Sequence, residues 1–402
     1  MFYHLPPTAT TLSLSDLLAP ISQVEGDKSD RFFFETLLTQ QFQACSTLAV
    51  ASGRTALRLI LETLKANPIS KKKQEIVLPA YTCPVLVKVI YDAGLNPVLC
   101  DIDDTNLEFD GEQLNSLVSD KTLAIINVHP FGIPLRTNFI IEIAKQHGVF
   151  FIDDICQALG SDIQGQPVGL NGKISFTSFG PGKSLSLGGG GAVFVNDASL
   201  GDSIKEEAED SSNEFPLIDD NFVGSTNSWL RLIAYNTIFQ PKGWWIATRM
   251  HLHKMGDDSR NWGYTNKWLS ISQSRIGLRA LDHLDKKNAI RIKNARMLQN
   301  RLADYRNIRH VEIHKQSKPI YLRYPIIVQN PQSREMIFDA LWQAGIGVGK
   351  MYRKTLAEWF PELNIRNFPG ATNIAENLIT LPTHEFVQIK HIKRIAETIE
   401  SY

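Results

Sequence analysis

Three short stretches carry residue types whose spacing suits covalent or acid–base chemistry. FIDDICQALGS, residues 151–161, closes an apolar strand with two adjacent aspartates, Asp153 and Asp154. Alternation along a strand sends their side chains to opposite faces, so one of them can meet a ligand at the strand end. A carboxylate there can hold the protonated ring nitrogen of a pyridine-type cofactor, which keeps such a ring an electron sink. It can equally cap or anchor the following loop. SFGPGKSLSLGGGGA, residues 178–192, sets Lys183 between a buried-looking strand and four consecutive glycines. Lysines are ordinarily exposed and inert. In this setting, backbone can approach a ligand closely and desolvate the amine, lowering its pKa towards nucleophilic use. A phosphate loop is the competing reading, but GxxxxGK[ST] would put its first glycine at Thr177, and the chain continues as loop and strand where a helix should open. ASGRTAL, residues 51–57, leads a small polar turn into a helix N-terminus. Free N–H groups and the positive dipole end converge there on any anion, although many ordinary helices begin the same way.

These residues need elements to place them. Ser52 precedes GRTALRLILETLKAN, a helical stretch with Leu57, Ile60, Leu61 and Leu64 on one face. EIVLPA (75–80) reads as a strand, PVLVKVIYDAG (84–94) as a helix and NPVLCDI (96–102) as a strand. KTLAIINVHP (121–130), VFFIDD (149–154), ISFTSF (174–179) and GAVFVND (191–197) read as further strands, with a helix ending at Gly148 among them. Strands alternating with helices of this length predict an α/β fold, a mostly parallel sheet sandwiched by helices. Ligands in such sheets collect at the carboxyl ends of the strands. Residues 201–220 hold eight acids and one lysine and read as a solvated loop. Five of the seven tryptophans lie between Trp229 and Trp268, a cluster that suits core or subunit interface, with a substrate wall or membrane-surface contact as the alternative. From residue 271 a single long helix is expected, followed by a smaller α+β region with a strand at 321–328 and a helix at 334–345.

The chain has 402 residues, 43% of them apolar and 21% charged, enough for two or three globular domains. Lys+Arg and Asp+Glu number 42 each, so the basic excess of a protein working on nucleic acid or anionic membrane is missing. No apolar run reaches the ~18 residues of a membrane span. The start MFYHLPPTAT lacks a secretory pattern, so a cytoplasmic protein is expected. Cys45, Cys83, Cys100 and Cys156 are widely separated, with neither metal-site nor disulfide spacing.

Taken together, these segments resemble the DegT/DnrJ/EryC1/StrS family of sugar aminotransferases, a branch of fold-type I pyridoxal phosphate enzymes. ASGRTAL is similar to the family's SGTxAL turn, NVHPFGIP to its VHLYGxP, and FIDDICQALG to its EDxAQAxG block. SFTSFGPGKSLSLGGGGAVFVND resembles its lysine loop, and LSISQSRIGLRALDHLD and LITLPTHEF resemble its C-terminal blocks. The resemblance implies that Lys183 carries pyridoxal 5'-phosphate covalently and shuttles the reaction's proton. It further implies that Asp154 pairs with the ring nitrogen, that Gln157 contacts the ring hydroxyl, and that Gly53, Arg54 and Ser178 hold the phosphate. Asn266 matches the asparagine of GYNYR, which in this family reaches the phosphate from the neighbouring subunit, so a homodimer with shared active sites is implied. Arg54 replaces a threonine, Cys83 an aromatic residue that stacks on the cofactor, Gly189 the glutamate of GEGG and Trp268 the arginine of GYNYR. The implied domains are an N-terminal arm (1–45), a large cofactor-binding domain (46–265, with an acidic, Trp-rich insertion at 198–265) and a connecting helix with a small C-terminal α+β domain (266–402). The implied activity moves an amino group from an amino acid, L-glutamate by analogy, to a nucleotide-linked keto-sugar. A sugar dehydratase is the alternative within the family, but there a histidine replaces the lysine; a regulatory or binding protein on the same scaffold is the alternative outside enzymology.

Overall fold

The computed structural model describes residues 3–19, 29–220, 222–250 and 263–402. Nine strands make up the first half: β1 (Ser46–Val50), β2 (Glu75–Pro79), β3 (Asn96–Cys100), β4 (Thr122–Val128), β5 (Phe150–Asp154), β6 (Asp162–Ile163), β7 (Gln166–Pro167), β8 (Ile174–Ser178) and β9 (Gly191–Val195). Seven of them form one sheet in the order β1-β9-β8-β5-β4-β2-β3. The run from β3 through β2, β4 and β5 to β8 is parallel, whereas β9 is antiparallel to both its neighbours. β4, TLAIINV, is buried along its whole length, as expected of a central strand covered on both faces.

Helices cover both faces. On one, Gly53–Ala66 buries Leu57, Ile60, Leu61 and Leu64, together with Ile76, Leu78, Ala124, Ile126 and Phe176 of the sheet. Opposite, Ile140, Ile143 and Ala144 of helix Asn138–His147 pack with Val77, Ile125 and Phe151. At the β1 end of that second face, helices Ser29–Gln41, Phe222–Ile238 and Ile271–Leu281 close over Ala49, Ala192 and Phe194. The second half adds β10 (Ile308–His310), β11 (Ser317–Lys318), β12 (Tyr324–Val328) and β13 (Leu378–Leu381). β10, β12 and β13 form a small antiparallel sheet in that order, and β11 joins β6 and β7. Helices Pro331–Gln343 and Ile389–Glu400 flank it.

Two expectations are corrected. The stretch from residue 271 is two helices, Ile271–Leu281 and Leu284–Leu302, because the N–H groups of Asp282 and His283 both return to the Ala280 carbonyl and the ladder restarts at Lys287 on His283. Residues 201–209, read as loop, belong to helix Ala198–Glu209, which Asp197 caps and which buries Leu200, Ile204 and Ala208 at four-residue spacing. Of the tryptophans, Trp244 and Trp268 are buried, Trp229 donates to the Leu17 carbonyl at 2.7 Å, and Trp262 lies outside the described residues. No helix among the described residues is long and apolar enough to cross a membrane.

Candidate active site

Topology gathers the chemistry on one sheet edge. The parallel strands β2, β4, β5 and β8 all end there, delivering residues 80–83, 129–132, 155–157 and 179–183. Being antiparallel, β9 begins there, so the glycines 188–191 lie at the same edge. β1 runs with β8 and ends there too, handing Ser52 and Gly53 to the helix behind it.

At the β1 end is an anion cradle. Ser52 Oγ accepts from Thr55 N at 3.1 Å and the Ser52 carbonyl from Ala56 N at 3.0 Å; Ser52 also bridges Gly190 in parallel, which turns the Gly53 N–H to the Gly190 carbonyl and leaves the N–H of Arg54 without an acceptor among the described residues. A Cβ on Gly53 would lie 3.0 Å from Ser178 Cβ and 3.5 Å from Cys156 Sγ, so a side chain there would crowd the turn against β8. The hydroxyl of Ser178 is at that contact and accepts from Gly180 N at 3.2 Å. Arg54 is half-buried beside Cys83 and Tyr264, and burial lowers its pKa.

In the middle, Asp153 and Asp154 part company. Asp153 Oδ1 accepts from Asn127 Nδ2 at 2.9 Å and lies 2.9 Å from His129 Nε2. His129 Nδ1 accepts from Leu135 N at 2.9 Å, so its proton sits on Nε2 and points at Asp153. Asp154 instead accepts from Cys156 N at 2.9 Å. Burial pushes its carboxyl above the usual range, opposed by the hydrogen bonding from Cys156 and by the charge of Lys183. Lys183 is half-buried, and among the described residues its amine makes no hydrogen bond or ion pair. Gln157 spans the site, its Oε1 accepting from Phe131 N at 3.1 Å and its Nε2 donating to the Tyr352 hydroxyl at 3.2 Å.

The six residues Gly53, Arg54, Asp154, Gln157, Ser178 and Lys183 therefore share one edge of the sheet. Asn266 does not join them through its side chain, which donates to the Pro216 carbonyl at 2.8 Å. Its neighbour Thr265 accepts from Thr55 Oγ1 at 2.8 Å, so this segment borders its own chain's cradle.

Sequence reading missed the residues that fix the lysine loop. Thr10 Oγ1 donates to the Lys183 carbonyl at 2.7 Å, and the Tyr235 hydroxyl accepts from Gly182 N at 2.8 Å. Gln273 Nε2 holds the Leu187 carbonyl at 3.0 Å. Tyr81 and Tyr352 stack edge to face at 5.5 Å, next to Cys83. The spacing of none of these announces the site. Three bulky residues at its border, Phe131 (φ 59°), Tyr321 (φ 49°) and Met351 (φ 44°), hold left-handed backbone, which surrounding structure must enforce.

A free amine, a buried carboxylate and an anion cradle on one edge of an α/β sandwich define the class of scaffold on which cofactor-dependent transferases are built. Within that class the chain belongs to the DegT/DnrJ/EryC1/StrS aminotransferase family, whose sequence profile matches residues 20–400. It is 36% identical over 151 residues to UDP-N-acetyl-3-dehydro-alpha-D-glucosamine 3-aminotransferase of Acidithiobacillus ferrooxidans, a match covering 37% of this chain and 40% of that protein. It is 32% identical over 169 residues to GDP-perosamine synthase of Escherichia coli O157:H7, covering 42% and 45% respectively. The chain thus spans under half the length of these curated relatives. Its fold matches Helicobacter pylori PseC, an aminotransferase involved in the biosynthesis of pseudoaminic acid, with a TM-score of 0.80 at 20% identity over 99% of this chain and 100% of that one.

Proposed function

We propose that this chain is a pyridoxal 5'-phosphate-dependent aminotransferase that takes an amino group from an amino acid, L-glutamate, and transfers it to a nucleotide-linked keto-sugar. The observation that carries this reading is the pairing of an unengaged Lys183 amine with a buried Asp154 carboxylate on one sheet edge. The residues present fit the cofactor. The open Arg54 N–H at the helix N-terminus behind Gly53, with the Arg54 guanidinium and the Ser178 hydroxyl, suits a phosphate. A carboxylate raised by burial is stabilised when a cation faces it, as a protonated ring nitrogen would.

When bound, pyridoxal phosphate supplies the electron sink that stores the electrons released at the donor's α-carbon. The protein does the rest. Lys183 Nζ removes the α-proton of the donor and later delivers a proton to the acceptor's carbonyl carbon. Asp154 holds the positive charge at the ring nitrogen, and Cys156 N–H orients that carboxylate. Gln157, clamped between Phe131 N and the Tyr352 hydroxyl, presents its amide towards the ring hydroxyl. Asn266 keeps one of its two amide protons beyond the bond to Pro216, and in a homodimer it would reach the partner's phosphate site. We place the enzyme in the cytoplasm and divide it into the arm 1–45, the large domain 46–265 and the C-terminal part 266–402.

The test is spectroscopic. The purified protein should absorb as a yellow pyridoxal enzyme, lose that band with L-glutamate and regain it with 2-oxoglutarate. Borohydride should fix the cofactor on the peptide holding Lys183, and Lys183→Ala should lower turnover by at least ~10³-fold while retaining weak phosphate-anchored cofactor binding. Normal turnover in Lys183→Ala would sink the reading.

A further inference from the structure

Two half-buried arginines at this sheet edge have no anionic partner among the described residues. Arg54 lies at the cradle, where a phosphate would answer it. Arg323 stands by Gly182, the residue before Lys183, and just ahead of β12, its own N–H donating to the Phe131 carbonyl at 3.3 Å. Its Nη1 is 3.0 Å from where a Cβ on Gly349 would sit, and its Nη2 is 3.8 Å from the same point on Gly182. The guanidinium thus fills the space between two residues that lack side chains, one of them bonded to Lys183. Around it are the hydroxyls of Tyr352 and Tyr235. Among the described residues, its side chain makes no hydrogen bond and no ion pair. Other inward-turned arginines are answered: Arg275 by Asp30 at 2.7 Å, Arg58 by Glu62 at 2.5 Å, and Arg291 by Asn288 at 2.7 Å and Thr10 at 2.6 Å.

A guanidinium drawn out of water without an acceptor is costly, and a carboxylate matches its planar fork in two parallel hydrogen bonds. We propose that Arg323 is the receptor for the α-carboxylate of the amino donor, fixing the donor so that its α-carbon faces Lys183. Position selects this anion over the diphosphate of a nucleotide-sugar. An α-carboxylate is one bond from the carbon that Lys183 deprotonates, whereas a sugar's diphosphate is separated from the reacting carbonyl by the ring. Burial lowers the pKa of Arg323, and only the tyrosine hydroxyls oppose that, so a carboxylate arriving there meets a weakly solvated cation. The inference rests on the aminotransferase reading and adds the residue that recognises the donor.

Arg323→Gln and Arg323→Lys, both loaded with cofactor, test it. In Arg323→Gln, the L-glutamate concentration for half-maximal loss of the yellow band should rise about 100-fold, the loss of a bidentate charged pair. The calorimetric Kd of the pyridoxal form for 2-oxoglutarate should weaken in parallel, while its Kd for UDP or GDP stays unchanged. Arg323→Lys, which keeps the charge and loses the fork, should fall between the two. If wild type bleaches with glutamate and Arg323→Gln does so at the same concentrations, the assignment is wrong. Weakened UDP or GDP binding with glutamate unaffected would overturn it in favour of a phosphate contact. Wild type that ignores glutamate and other amino acids would instead refute the aminotransferase reading itself.

Discussion

The Asp153 carboxylate is already engaged by Asn127 and His129, each at 2.9 Å, whereas Asp154 opens towards Lys183. Two chemically identical neighbours are thereby separated into a structural acid and a ligand-facing one. Asp154→Asn should cut turnover by ~10²–10⁴-fold with little change in Tm, because it removes a charge the ring nitrogen needs but breaks no core contact. Asp153→Asn should do the reverse, costing about 1–3 kcal/mol of stability through the weakened bond from His129, with turnover within ~10-fold of wild type. Equal loss of turnover in both, at matched Tm, would mean that the wrong acid has been chosen. This division was legible in the sequence, since strand alternation alone sends adjacent side chains apart. Arg323 was not legible: what singles it out is the absence of a partner, and absence has no sequence signature.

Among elements, helix Ser29–Gln41 is tied to the sheet by Glu35, whose Oε1 accepts from Ala49 N at 2.8 Å and lies 3.8 Å from Arg31 Nε. Burial dominates and lifts the Glu35 carboxyl from 4.5 to about 7. Between those values the folded chain keeps a proton that the unfolded chain has released, so stability falls as pH rises through this window and stays lower above it. Glu35→Gln, which keeps the acceptor and drops the charge, should therefore stabilise the protein at pH 8 by up to about 3 kcal/mol and change little at pH 4.5, read from denaturant midpoints. A uniform effect at both pH values would show that ionisation is not the cause. Other elements teach how composition misleads. Acids at 202, 206, 207 and 209 suggested loop, but 202, 206 and 209 occupy the outer face of a helix whose inner face is Leu200, Ile204 and Ala208, and Glu207 is buried, accepting from Phe215 N. The break at Asp282–His283 is hidden for the opposite reason, because ALDHLDKK contains only residues that a helix tolerates.

At the scale of the whole molecule, the lysine loop is held by residues far away in sequence: Thr10 by 173 positions and Tyr235 by 53. The sequence could show the sheet edge but not the arm that lies across it. Homodimerisation with shared sites predicts that inactive Lys183→Ala chains mixed with weak Asn266→Ala chains recover activity, since each heterodimer holds one site with both residues intact. Failure to complement, with heterodimers verified, would assign Asn266 to its own chain's cradle, where Thr265 already touches Thr55. The arm itself is anchored wholly by later parts of the chain. His4 N donates to the Pro241 carbonyl, Leu5 pairs with Ile346, Pro6 accepts from His384, and Thr10 meets both Lys183 and Arg291. Thr11 binds Glu385 and Lys287, and Leu12 N donates to Asn236. On the ribosome, at 5–20 residues per second, the interval between the emergence of residues 4–12 and that of their last partner, Glu385, is about 20–80 s. The arm is thus fully docked only once Glu385 has emerged, well after Tyr235 and Gln273 are available to hold the lysine loop, so the order of synthesis sets the order in which the loop's fastenings can close.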